Sequence, residues 1–223
     1  MSLPLTNAVA PARLDVSRRT APVRPTLARR ALGLGLAALM GGCAAPLPPL
    51  SWVRLPAVPP AMVGPAVHGA DIGAPVWQLM APVALPGHLD RDALLVPRGT
   101  AALGALSGVR WAEPLRDAVP RLLRQDLAAQ LGSPLWAAPL PPGLRPTLQL
   151  RIEFTALDVA ASGQAVALAA QWSLSRVDGS AAPRVHQAQF TIQAADGSAE
   201  ALAVAHRQAL WDLAGRIAAS SRP

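Results

Sequence analysis

The chain holds one sulfur nucleophile, Cys43, and its surroundings are more informative than those of any other reactive residue. It follows Arg29-Arg30, an uncharged run from Ala31 to Met40, and Gly41-Gly42. A thiolate is the strongest nucleophile the chain offers, and two glycines leave the backbone beside it unencumbered. The other reactive residue types do not assemble. His68, His88, His186 and His206 are scattered, none with a partner at metal-ligand spacing. There is no Gly-x-Ser-x-Gly elbow and no phosphate-cradling loop, and Gly33-Leu34-Gly35 falls inside the apolar run. Asp90 and Asp92 flank Arg91 in a polar bend and read as exposed acids rather than an acid–base pair. The expectation is a protein without catalytic residues, metal or cofactor, whose one chemical event is a modification it receives.

A basic stretch, a short apolar run and small residues before a cut are the parts of a secretory signal. Met40-Gly41-Gly42-Cys43 resembles the lipobox of bacterial lipoproteins, in which the cysteine receives a diacylglycerol and becomes the acylated N-terminus; Met40 stands where leucine is commoner. The apolar run is shorter than the roughly 20 residues that span a bilayer, so the reading is a lipid anchor at Cys43 and not a membrane helix. The expected organisation is a signal peptide over 1–42, a lipidated proline-rich tether over 43–50 and one periplasmic domain over 51–223. Ala45 lacks the aspartate that retains enterobacterial lipoproteins in the inner membrane, which favours the outer membrane. Arg29-Arg30 loosely resembles a twin-arginine export signal, and the export route stays open.

The formal charge of +7 divides unevenly. Residues 1–42 hold six arginines and Asp15, and residues 43–223 hold 14 arginines against 12 acids, so +5 belongs to the leader and +2 to the body. A nucleic-acid partner is not implied, because most of the positive charge leaves with the signal. The 181 residues that remain suit a single domain.

Periodicity supplies the elements that position the polar bend. Ser51–Leu55, Val76–Val83, Ala93–Val96 and Leu135–Ala138 read as short strands. Trp111 to Leu131 reads as a helix with Leu115, Val119, Leu122, Leu123, Leu127 and Leu131 on one face, Gly132 as its stop and Pro120 in conflict with it. Arg116, Arg121 and Arg124 read as its solvated side, with Asp117 and Arg121 spaced for an i,i+4 pair. Thr147–Phe154 alternates strictly, and two further strands follow across turns at Ala161-Ser162-Gly163 and Asp178-Gly179. Ser198 is the expected N-cap of a terminal helix buried through Leu202, Ala205, Ala209, Leu210, Leu213 and Ile217. The fold class is α+β: an antiparallel meander of long strands with two amphipathic helices packed on one face.

Two segments carry a more specific likeness. Leu85-Pro86-Gly87-His88-Leu89-Asp90-Arg91 resembles the L-P-x-[YH]-L-D-R segment of the ABC-type transport auxiliary lipoproteins, the PqiC-like family. Arg110-Trp111-Ala112-Glu113-Pro114-Leu115 resembles that family's R-W-A-E-P-L start of its helix. The resemblance implies a non-enzymatic outer-membrane lipoprotein facing the periplasm, working beside a membrane permease and an MCE-domain protein in moving phospholipid between membranes. A ring-shaped homo-oligomer matching a ring-shaped partner is expected by the same analogy. Polar and aromatic residues on loops beside the sheet place partner docking on Asp90, Arg91, Arg110 and Trp111. The alternatives are a general envelope-integrity or assembly lipoprotein without a transport role, and a hydrolase with an unrecognised site.

Overall fold

The computed structural model describes residues 49–60 and 75–221. The expected signal peptide, the lipobox residues Met40, Gly41, Gly42 and Cys43, and most of the tether lie outside the described residues.

Among the described residues, eight strands and two helices follow in the order β1 (Ser51–Val53), β2 (Trp77–Leu79), β3 (Ala93–Pro97), β4 (Leu103–Trp111), α1 (Leu115–Leu131), β5 (Leu135–Ala137), β6 (Leu148–Val159), β7 (Ala165–Arg176), β8 (Arg184–Gln193) and α2 (Ala199–Ser220). A short 3-10 turn, Gly87–Leu89, precedes β3. One sheet has the order β5-β2-β6-β7-β8 and a second the order β1-β4-β3. The expected α+β class holds. The long meander is antiparallel through β6, β7 and β8, but both sheets are mixed, because β2 runs parallel to β5 and β6, and β1 parallel to β4. Such parallel neighbours need long crossovers, which periodicity cannot report.

Strand β6 shows how sequence becomes register. Leu150, Ile152 and Phe154 face the core at even positions, opposite Leu174, Trp172 and Ala170 of β7. A bulge between Phe154 and Ala156 inserts one residue, so the buried side chains beyond it are odd-numbered, Leu157 and Val159. The strand therefore outlasts the alternation that marked it. In β8 the inward residues are Ala188, Phe190 and Ile192, each half-buried.

Helix α1 begins four residues later than its apolar pattern suggested. Trp111 closes β4, a nine-residue strand rich in small residues whose pattern is too weak to read. Pro114 then occupies the N-cap position and Gly132 ends the helix at φ +64°, the left-handed geometry glycine tolerates. Pro120 lies inside the helix and does not end it. The carbonyl deprived of its donor belongs to Arg116, an exposed residue that water can reach. Helix α2 starts at the predicted cap: Ser198 Oγ accepts the Ala201 N–H at 3.2 Å.

The two helices pack on one another and on the sheet, and one apolar core joins them to both sheets. An ion pair runs through it. Arg207 of α2, 1 % exposed, donates to both carboxylate oxygens of Asp126 of α1, 2 % exposed, at 2.6 and 2.5 Å. Its remaining donors reach the carbonyls of Pro56 at 2.8 Å and Ala57 at 3.3 Å. The segment leaving β1 is thereby fastened to the last helix.

Candidate partner-docking site

The two sequence segments singled out above meet at one corner of the fold. The β3–β4 hairpin brings them together: Ala93 opposes Arg110, and the Trp111 N–H donates to the Asp92 carbonyl at 2.6 Å. The Ala112 N–H donates to the Val53 carbonyl at 2.7 Å, tying the same corner to β1.

Each segment contributes a side chain to a polar cluster beneath the corner. His88 Nε2 lies 2.5 Å from Asp158 Oδ1 at the end of β6. Trp111 is buried and stands edge-on to His206 of α2, with ring centroids 5.6 Å apart at 78°. His206 Nδ1 lies 2.7 Å from the Leu202 carbonyl of its own helix. Burial pushes the His206 imidazole below its ordinary value, against the smaller upward pull of the Leu202 carbonyl and the Asp158 charge. A neutral ring donating Nδ1–H to that carbonyl satisfies it.

The outer side of the corner is charged. Asp90 pairs with Arg116 of α1, which also approaches Asp117 at 4.0 Å. Asp92 pairs with Arg110 at 3.3 Å. Arg121 turns to Glu113, with Nη2–Oε2 at 2.5 Å, and so does not make the i,i+4 pair with Asp117 that its spacing suggested. Arg91 is exposed and makes no hydrogen bond or ion pair among the described residues.

Of the four expected docking residues, Asp90 and Arg91 are on the surface, Arg110 is half-buried and Trp111 is internal. Trp111 therefore supports the corner from within and offers nothing to a partner. His88, Asp158 and His206 were not predicted to act together, because they lie on the 3-10 turn, on β6 and on α2, and the bulge turns Asp158, an even position, away from the face that the even positions before it share. The cluster has no nucleophile–base pair, and among the described residues no three His, Cys, Asp or Glu side chains are grouped to hold a metal ion. Its physical role is to brace a bend whose exposed charges face outward.

The sequence model of the ABC-type transport auxiliary lipoprotein component matches residues 58–218, a span that contains both segments and this whole corner. The chain belongs to that family. Two solved structures share the fold. An uncharacterised protein aligns with a TM-score of 0.60 at 17% identity, covering 78% of this chain and 99% of its own. A Xanthomonas campestris protein of family DUF330 aligns with a TM-score of 0.53 at 16% identity, covering 75% of this chain and 92% of its own. No curated protein matches. For this transport auxiliary lipoprotein, the third histidine among the described residues packs within the fold too: His186 stacks on Trp172 at 5.7 Å and 19°. No helix among the described residues is long and apolar enough to cross a membrane.

Proposed function

We infer that this auxiliary lipoprotein is anchored by acyl chains on Cys43 in the outer membrane, faces the periplasm, and docks components of an ABC/MCE-type system that moves phospholipid between membranes. The family match over residues 58–218 carries the reading. It is supported by the Gly41-Gly42-Cys43 sequence after an apolar run and by a braced corner presenting Asp90, Arg91 and Arg116. The partners are an MCE-domain protein and its permease; the protein's own part is to hold and orient, without catalysing a reaction.

Affinity purification of the chain from membranes, with mass spectrometry of what accompanies it, tests this directly. An MCE-domain protein and a permease are expected. Replacing Asp90 and Arg91 together by alanine should abolish their recovery while leaving thermal unfolding nearly unchanged, since both side chains are exposed. Unchanged recovery moves docking away from this corner. Recovery of only outer-membrane or cell-wall proteins supports instead an envelope-assembly role.

A further inference from the structure

Six large hydrophobic side chains are strongly exposed among the described residues, and three of them, Leu50, Trp52 and Val58, fall within nine positions at the start of the body, at 54, 59 and 61 % exposure. Trp52 and Val58 line a common groove of about 550 Å³, closed on the other side by Ala203 and Val204 of α2, with Glu200 at its margin. This is not a loose terminus. Trp52 lies in β1, in parallel register with Arg110 of β4. Leu55 is buried, and the next two carbonyls are held by Arg207. The apolar side chains are thus displayed on a rigid mount rather than left unpacked for want of a partner within the chain.

We propose that Leu50, Trp52 and Val58 form a membrane-contacting face that seats the body on the phospholipid surface to which Cys43 is attached. The proposal rests on the anchor reading above and adds to it an orientation. Leu50 is seven residues beyond Cys43, so even a fully extended tether lets it stand no more than about 25 Å from the acylated sulfur. The face that carries these side chains is therefore the one that meets the bilayer. Tryptophan suits that depth, where its ring is buried and its N–H stays wet. Exposed Arg54, two residues on, supplies a cation for lipid phosphates. A second copy of the chain or an apolar helix of a protein partner would fill the same groove, but neither explains why the exposed residues gather where the tether enters.

The test uses the acylated full-length product, purified in detergent and reconstituted into phosphatidylethanolamine–phosphatidylglycerol vesicles, with and without bromine on the acyl chains. Intact mass is measured first. Bromine quenches indole only on close approach; Trp77, Trp111 and Trp172 are buried and Trp136 and Trp211 half-buried, so the Trp52 signal is the difference between wild type and Trp52→Phe. Acylated protein quenched by brominated lipid clearly more than Trp52→Phe bears the proposal out. Acylated protein whose Trp52 emission ignores bromine overturns the membrane face while leaving the anchor intact. Trp52 emission that instead shifts with protein concentration, indifferent to bromine, assigns the groove to a second copy and also overturns it. An unmodified Cys43 overturns the anchor and the proposal together. Equal thermal unfolding of wild type and Trp52→Phe shows that the variant is folded.

Discussion

Replacing Arg207 with methionine removes a side chain that fills its site and makes four hydrogen bonds, two to Asp126 and one each to Pro56 and Ala57. Methionine restores most of the volume, so little cavity is left. The two carbonyls lie near the surface and can recruit water. The Asp126 carboxylate cannot, because it is 2 % exposed. Breaking a buried pair from one side costs about 3 to 5 kcal/mol, since the surviving charge is stranded. For a domain of this size each kcal/mol moves the melting temperature by about 2 to 4 °C, which gives a fall of about 6 to 20 °C. The pH dependence isolates the cause. Burial already holds the Asp126 carboxyl above its ordinary value, and both contacts from Arg207 pull it down. Without Arg207 it rises further. As pH falls, the folded variant then takes up a proton before its unfolded chain does, near pH 3.9, so acidification stabilises the variant relative to its own unfolded state and narrows its deficit. Urea unfolding of wild type, Arg207→Met and the double variant Asp126→Leu/Arg207→Met at pH 7 and pH 5 measures this. The double variant should lose less than Arg207→Met alone. A deficit below about 1 kcal/mol, the value of an exposed pair, or one that does not change with pH, would refute the stranded-charge account.

Three smaller effects are expected. His206 is held neutral by burial, so its folded value lies below that of the unfolded chain; its contribution is complete above about pH 6.5 and is lost as pH falls below it, by up to about 1.4 kcal/mol per pH unit. His206→Phe should flatten that part of a stability–pH curve between pH 6.5 and 5, and an unchanged slope would assign the dependence to another group. Ser198→Ala removes the N-cap of α2 and should cost about 1 kcal/mol in urea unfolding, with the Asp196 carboxyl, now held low by the Ser198 hydroxyl and N–H, returning toward its ordinary value in carbon-detected NMR titration. Gly132→Ala meets no atom within 4 Å and so tests backbone strain alone, with about 1 kcal/mol expected from thermal unfolding for a left-handed residue that gains a Cβ.

Where one local rule governed an element, the sequence could be read. The strict alternation of Leu148 to Phe154, the Ser198 cap and the Gly132 stop each depend on neighbours within a few residues. β4 escaped because Gly104, Ala105, Ser107 and Gly108 blur the alternation, and the parallel placement of β1 and β2 depends on partners 58 and 71 positions away in register. The charged pair in the core was legible in principle. Asp126 falls on the same helical stripe as Leu122, Leu123 and Leu127, and Arg207 on that of Ala203, Leu210 and Ala214. Opposite charges on two otherwise apolar faces were a signal that the faces meet. At the docking corner, composition marked the bend and the Arg110–Leu115 segment but could not tell that Trp111 turns inward, because that depends on His206 of a helix formed at the far end of the chain.

The position of β2 between β5 and β6 sets the order in which this body can assemble. The three long strands at the C-terminal end close by tight turns and can zip up on their own, whereas β2 must wait for partners that emerge far later. Non-local pairing of this kind slows folding. A newly made chain therefore spends its first moments with its earliest strands unpaired. That interval favours attendance by a chaperone and makes the N-terminal strands of the body the last to be protected from proteases.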